Sequence, residues 1–174
     1  MDREDIVVAV VAAAGGTLTS RVRLQKTIYL LDQLNLKSGF SFEYYHYGPF
    51  SRDLDNATAD AKALGKIKED IRHRQSDGAA FSVFSLCEEQ NAKAHGELGA
   101  EQITKLTREF SETNVTVLEL AATINWLCEA EHCADWNAEV TKRKGVKVQG
   151  GKLQKAVELL TKIGLSPRPI EVGA

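Results

Sequence analysis

The sequence predicts a mainly α (α+β) protein, with a winged-helix-like front half over residues 1–86 that carries a β-hairpin wing. A helical region, residues 87–174, packs on it. Three observations predict this. Apolar residues recur at helical spacing in three segments before residue 65. Two strand-like runs between residues 66 and 86 flank a polar turn. Beyond Cys87 every apolar pattern is helical, and no internal repeat interrupts it. At 174 residues the two regions fit one compact domain.

The first helix is read from Asp2 to Ala14: acidic at its start, apolar inside, stopped by Gly15-Gly16. Thr17 to Ser20 offer capping side chains for a second helix, Val22 to Asn35. On it Leu24, Ile28, Leu31 and Asn35 share a stripe, while Arg23, Lys26 and Gln33 face away. Phe42 to Tyr47 is aromatic and extended, a short strand broken by Gly48-Pro49. Ser51 caps a third helix that buries Leu54, Ala57, Ala61 and Leu64 and ends at Gly65. The wing follows: Lys66 to Arg72, the turn Gln75-Ser76-Asp77-Gly78, then Ala80 to Leu86, where Phe81 and Val83 alternate with Ser82 and Phe84. Four further helices are expected, over 99–110, 115–131, 134–144 and 151–163. Gly164, Pro167 and Pro169 open a short tail.

Composition narrows the setting. Three prolines and ordinary hydrophobic and charged fractions (43% and 26%) exclude a long disordered linker. Cys87, Cys128 and Cys133 are too few and odd in number for a disulfide framework, which favours a reducing compartment. The acidic start Met1-Asp2-Arg3-Glu4-Asp5 does not suit a secretory leader, and no apolar run reaches membrane-spanning length. The expected location is the cytoplasm. Charge is uneven: residues 142–174 hold eight Lys/Arg and two Asp/Glu, residues 1–141 fourteen and twenty-two. That asymmetry fits either an electrostatic partner site or solvated helix faces.

No motif points to catalysis. Gly145 to Lys152 approximates a phosphate-binding loop, but the lysine is one position late and Leu153 stands where Ser or Thr is required. Cys128 and His132 are spaced as i, i+4 on the fifth helix, beside Cys133, but a closed zinc site needs four ligands and no second pair is visible. No metal, cofactor or catalytic residue is therefore assigned. The third helix has three acids against two bases over 51–62, so groove reading through it is disfavoured. Nucleic-acid contacts, if any, fall to Arg72, His73 and Arg74 of the wing and to Lys142, Arg143 and Lys144, with Lys147, Lys152 and Lys155 beyond them. Residues 42–50 place five aromatic rings in nine positions. Alternate rings are expected to fill the core, leaving one or two tyrosines for a partner.

Two segments carry a family resemblance. Arg23-Leu24-Gln25-Lys26-Thr27-Ile28-Tyr29-Leu30-Leu31 resembles the Leu-Gln-Lys helix of Panacea-type and YwgA-like bacterial proteins. Tyr47-Gly48-Pro49-Phe50-Ser51-Arg52-Asp53-Leu54 resembles their Tyr-Gly-Pro turn and the helix after it. Leu64-Gly65-Lys66-Ile67 fits the same order, and Trp136 to Leu165 is similar to the YwgA-like group. The resemblance implies a non-enzymatic protein-binding regulator, antitoxin-like or proteolytic-adaptor-like, in a bacterial or phage toxin–antitoxin or defence setting. Its partner would be a cognate toxin or a protease. The residues expected at that interface are Lys26, Tyr45, Tyr47, Gly48, Pro49, Ser51 and Arg52. From the residues alone, this corner reads first as a structural strand-to-helix turn, with Gly48 and Pro49 setting the backbone, and a partner could read the same corner. The alternative function is a winged-helix nucleic-acid-binding protein that uses the basic hairpin and the Lys/Arg-rich C-terminal region.

Overall fold

A computed structural model describes residues 1–170, so the last four residues of the expected tail lie outside it. The described chain is mixed α+β, with seven α-helices and two small antiparallel sheets. The front half runs α1 (Arg3–Ala13), β1 (Thr17–Thr19), α2 (Arg21–Gln33), β2 (Glu43–Tyr45), β3 (Gly48–Phe50), α3 (Arg52–Ala63), β4 (Ile67–His73) and β5 (Ala80–Leu86). The back half runs α4 (Ala100–Glu112), α5 (Val115–Glu129), α6 (Trp136–Lys144), a 3-10 turn (Gly145–Val148) and α7 (Lys152–Ile163).

Two helices are apolar on every side and form the centres of the two halves. In α1, Ile6 through Val11 are all buried, and the helix packs against α3, α4 and β5. In α5, Val117 through Asn125 are all buried, and α2, α6, α7 and β3 surround it. One continuous buried cluster joins them, running from Val7 and Val10 through Ile28 and Leu31 to Leu118 and Ile124. The 1–86 and 87–174 regions thus share a core.

Thr17 to Ser20 do more than cap. Thr17–Thr19 forms an edge strand paired with Ser85, Phe84 and Val83, and only Ser20 caps α2, its hydroxyl accepting from the Arg23 amide. The sheet order is therefore β1-β5-β4, with β5 central. This explains why clean alternation fails there: Val83 and Phe84 are both buried, as is Ser82, whose hydroxyl donates to Glu69 at 2.6 Å. Leu64 was expected inside but is 61% exposed. It ends the helix as its C-cap, with its amide bonded to Asp60 O, one position past the buried stripe of Leu54, Ala57 and Ala61.

Glu69 ties the sheet to both helices in front of it. Its carboxylate, only 4% exposed, receives Arg21 at 2.7 Å from the start of α2 and Lys62 at 2.5 Å from the end of α3. Hydrogen bonding by Arg21, helped by Lys62 and Ser82, holds its pKa down at about 2, from an ordinary 4.5. A depressed carboxylate contributes stability that is present above pH 4.5 and lost as pH falls toward about 2. Acid-titrated thermal melts should show this loss in the native chain. Glu69→Gln should be less stable at neutral pH and show a shallower acid dependence.

Candidate functional site

The corner between α2 and α3 begins from a physical problem. β2 and β3 have three residues each, too short a ladder to hold a hairpin alone. Glu43, Tyr44 and Tyr45 pair with Phe50, Pro49 and Gly48, so Gly48-Pro49 does not break a strand as the sequence suggested but begins the returning one. Gly48 takes φ +90°, a conformation that favours glycine, and a Cβ placed there would lie 2.6 Å from the Thr123 hydroxyl of α5.

Side chains from α2 supply what the ladder lacks. The Gln25 amide donates to Ser51 O at 3.0 Å and accepts from Ser51 N at 2.9 Å, as a neighbouring strand would. Lys26 Nζ donates to Pro49 O at 2.6 Å. Lys26 therefore does not lie on a polar face of its helix. It is 1% exposed, a wholly buried lysine on the inner surface of α2. Periodicity placed it outside because charge was taken as a proxy for exposure. Ser51, fully buried, caps α3 by accepting from the Leu54 amide, as expected.

The back half completes the corner. Glu119, buried in the midst of apolar α5, pairs with Lys144 at 2.9 Å and Lys147 at 3.0 Å. Lys144 Nζ also reaches His46 O at 3.3 Å, a second cation on the hairpin backbone. Burial lowers the Lys26 pKa from 10.5 to about 7; Glu119 opposes that shift, and Lys144 and Lys147 add to it. Burial likewise lowers Lys144, against the pull of Glu119. Sequence reading missed Gln25, Glu119 and Thr123 as parts of this site. Glu119 had a signal: a single carboxylate within an apolar helix must find cationic partners.

Two tyrosines are left exposed, as expected, but the other rings are only half-buried rather than inside the core. None of Phe42, Tyr44, Tyr45, Tyr47 and Phe50 is fully buried. Tyr45 and Tyr47 are 51% and 54% exposed at the hairpin tip, and Lys147 lies 4.8 Å from the Tyr47 ring. Between the tip and α2 lies a cleft of about 270 Å³ lined by Val22, Gln25, Lys26, Tyr45, Tyr47 and Phe50, with Arg21 and Asp55 also at its edge. Gly48, Pro49 and Ser51 are buried under it, and Arg52 is exposed at the start of α3. The structure thus brings Lys26, Tyr45, Tyr47, Gly48, Pro49 and Ser51 together, with Arg52 beside them.

The basic residues separate into two groups. Arg72, His73 and Arg74 are exposed at the far end of the β4–β5 hairpin, where Arg74 pairs with Asp77 at 2.9 Å. In the second group Arg143 is engaged by Glu131 and Glu139, at 2.7 and 2.8 Å, and stacks 4.6 Å over the Tyr44 ring. Lys144 and Lys147 are held by Glu119, leaving Lys142 and Lys155 exposed and Lys152 half-buried. Cys128 and His132 do not share a helix face: α5 ends at Glu129 and His132 has φ +50°. Among the described residues no helix is long and apolar enough to cross a membrane. No protein-family model matches the sequence, and no curated protein matches it.

Two outcomes follow from the corner. Gly48→Val should lower stability by about 1–3 kcal/mol, because it forces a β-branched residue to positive φ and drives it against Thr123. Thermal melts should show the loss, and adding Thr123→Ala should restore only the steric part. Lys26 gives the second. Between pH 7 and 10.5 the unfolded chain keeps a proton that the folded chain releases, so stability rises with pH in that window. The slope should reach up to about 1.4 kcal/mol per pH unit. Urea unfolding of Lys26→Met should lack this rise.

Proposed function

We propose that this chain is a non-enzymatic protein-binding regulator that presents the Tyr45–Tyr47 hairpin tip to a protein partner. The observation that carries the reading is the pairing of two half-exposed tyrosines with a clamped backbone beneath them. Tyrosine offers large contact area at low entropic cost, and a tip already fixed in place has little further ordering to lose on binding. The adjoining cleft, floored by Lys26, has room for one side chain of that partner.

The resemblance of Gln25-Lys26 and Tyr47-Gly48-Pro49 to Panacea-type and YwgA-like proteins adds the biological setting. It is an antitoxin-like or proteolytic-adaptor-like role in the bacterial or phage cytoplasm, with a toxin or a protease as partner. Direct bonding between those two segments supports treating them as one motif. We read the front half as a winged helix, supported by the strand order β1-β5-β4, the helices α2 and α3 ahead of the hairpin, and the exposed run from Ile71 to Gly78 as its wing.

A nucleic-acid-binding reading draws on the exposed Arg72 and His73 in that wing. It is the weaker one, because Arg143, Lys144 and Lys147 already serve carboxylates within the protein. The test compares the native chain with Tyr45→Ser/Tyr47→Ser. Affinity capture from the native host should recover a toxin or protease with the native chain and lose it with the variant, at equal melting temperature. Retained capture would place the partner surface away from the tip, and a sub-micromolar DNA or RNA complex that weakens steeply with salt and with Arg72→Ala would instead favour the wing.

A further inference from the structure

On the other side of β2, away from the tyrosine tip, α2 and α5 enclose a cleft of about 340 Å³ lined by Tyr29, Phe40, Phe42 and Trp126, with Asp32, Gln33, Glu129 and Ala130 also on its wall. The rings do not stack. Tyr29 meets Phe42 edge-on, at 5.2 Å and 69°, and Trp126 at 6.3 Å and 51°, so the three form a corner of inclined faces. Two inward groups are fixed: the Tyr29 hydroxyl donates to Asn125 at 2.7 Å, and Trp126 Nε1 donates to Glu131 at 2.9 Å. Phe42 and Trp126 remain half-exposed, so part of this aromatic surface faces the opening.

The charge on the wall is negative and partly unanswered. Asp32 is half-buried and accepts from the Ser38 amide and hydroxyl, which fix its orientation. Among the described residues no lysine or arginine pairs with it; burial raises its pKa, with His95 acting weakly the other way. Glu129 is about half exposed, and its one cationic partner is the exposed Arg168 at 3.4 Å. Phe42 and Trp126 supply the accessible negative π-faces that attract a cation, with the buried Tyr29 ring behind them, while the two carboxylates supply net charge.

We propose that this cleft binds an organic cation, an alkylated ammonium headgroup of side-chain size. Two half-exposed rings, Phe42 and Trp126, present faces to such a headgroup beside the carboxylates. A metal ion is disfavoured, because the rings standing among the carboxylates cannot replace its lost water. The headgroup can come from a free quaternary amine or from a methylated lysine on a protein. The proposal is independent of the tyrosine tip.

The experiment titrates the full chain with tetramethylammonium chloride at constant ionic strength and follows Trp126 emission. Trp136, buried elsewhere, gives a constant background. The expected result is a saturable response that the neutral isostere neopentane-type alcohol, 2,2-dimethylpropanol, does not reproduce. Phe42→Leu and Glu129→Gln, both at partly exposed positions, should each weaken it about three- to tenfold with unchanged melting temperature. A trimethyllysine peptide and choline are then compared: tighter binding of the first assigns a protein source, and of the second a free amine. An equal response to the alcohol, the absence of any saturable response, or unchanged affinity in both variants overturns the proposal.

Discussion

A lysine ammonium held out of water is the constraint around which the corner is arranged. Among the described residues, Lys26 has one hydrogen-bond acceptor, Pro49 O, and no carboxylate in direct contact. Isolated charges in protein interiors are costly, and the surroundings must either answer them or let them lose the proton. Here Glu119 answers at longer range, but Lys144 and Lys147 draw on the same carboxylate. Positions of α2, β3, α5, α6 and the 3-10 turn are therefore linked through one balance of charge.

That balance ties the two halves together alongside the apolar core. α5 carries Glu119, and its neighbour one turn later, Thr123, sits against Gly48. α6 contributes Lys144 to the carbonyl of His46 and Arg143 to the face of Tyr44. Part of the basic C-terminal segment, Arg143, Lys144 and Lys147, is engaged by acids and rings of its own fold, while Lys142 and Lys155 stay exposed.

Much of this fold was legible. Helices α2 and α3, the β4–β5 hairpin and the helical back half followed from spacing and from Gly, Pro and Ser punctuation. β1 was not legible, since three residues have no period and its strand character comes from pairing with β5. The hairpin at 43–50 hid for a similar reason: a proline in β3 reads as a breaker, although Pro49 stands opposite Tyr44 in a short two-stranded ladder and gives its carbonyl to Lys26. At the site, the motif residues were found from their resemblance, but Lys26 was placed on the wrong face. A single letter does not say whether a charge is solvated or answered internally, and the answering group, Glu119, lies 93 positions away in the chain.

Every hydrogen bond that Gln25, Lys26 and Lys144 make with the hairpin is to main-chain atoms: Ser51 N and O, Pro49 O and His46 O. None depends on which side chains stand at positions 45, 46 and 47. The backbone clamp is thus distinct from the ring contacts of the tip, which run from Tyr47 to Lys147 and from Tyr45 to Phe50. Under the protein-binding role proposed above, a substitution at Tyr45 or Tyr47 alters what the tip presents while the backbone clamp stays in place.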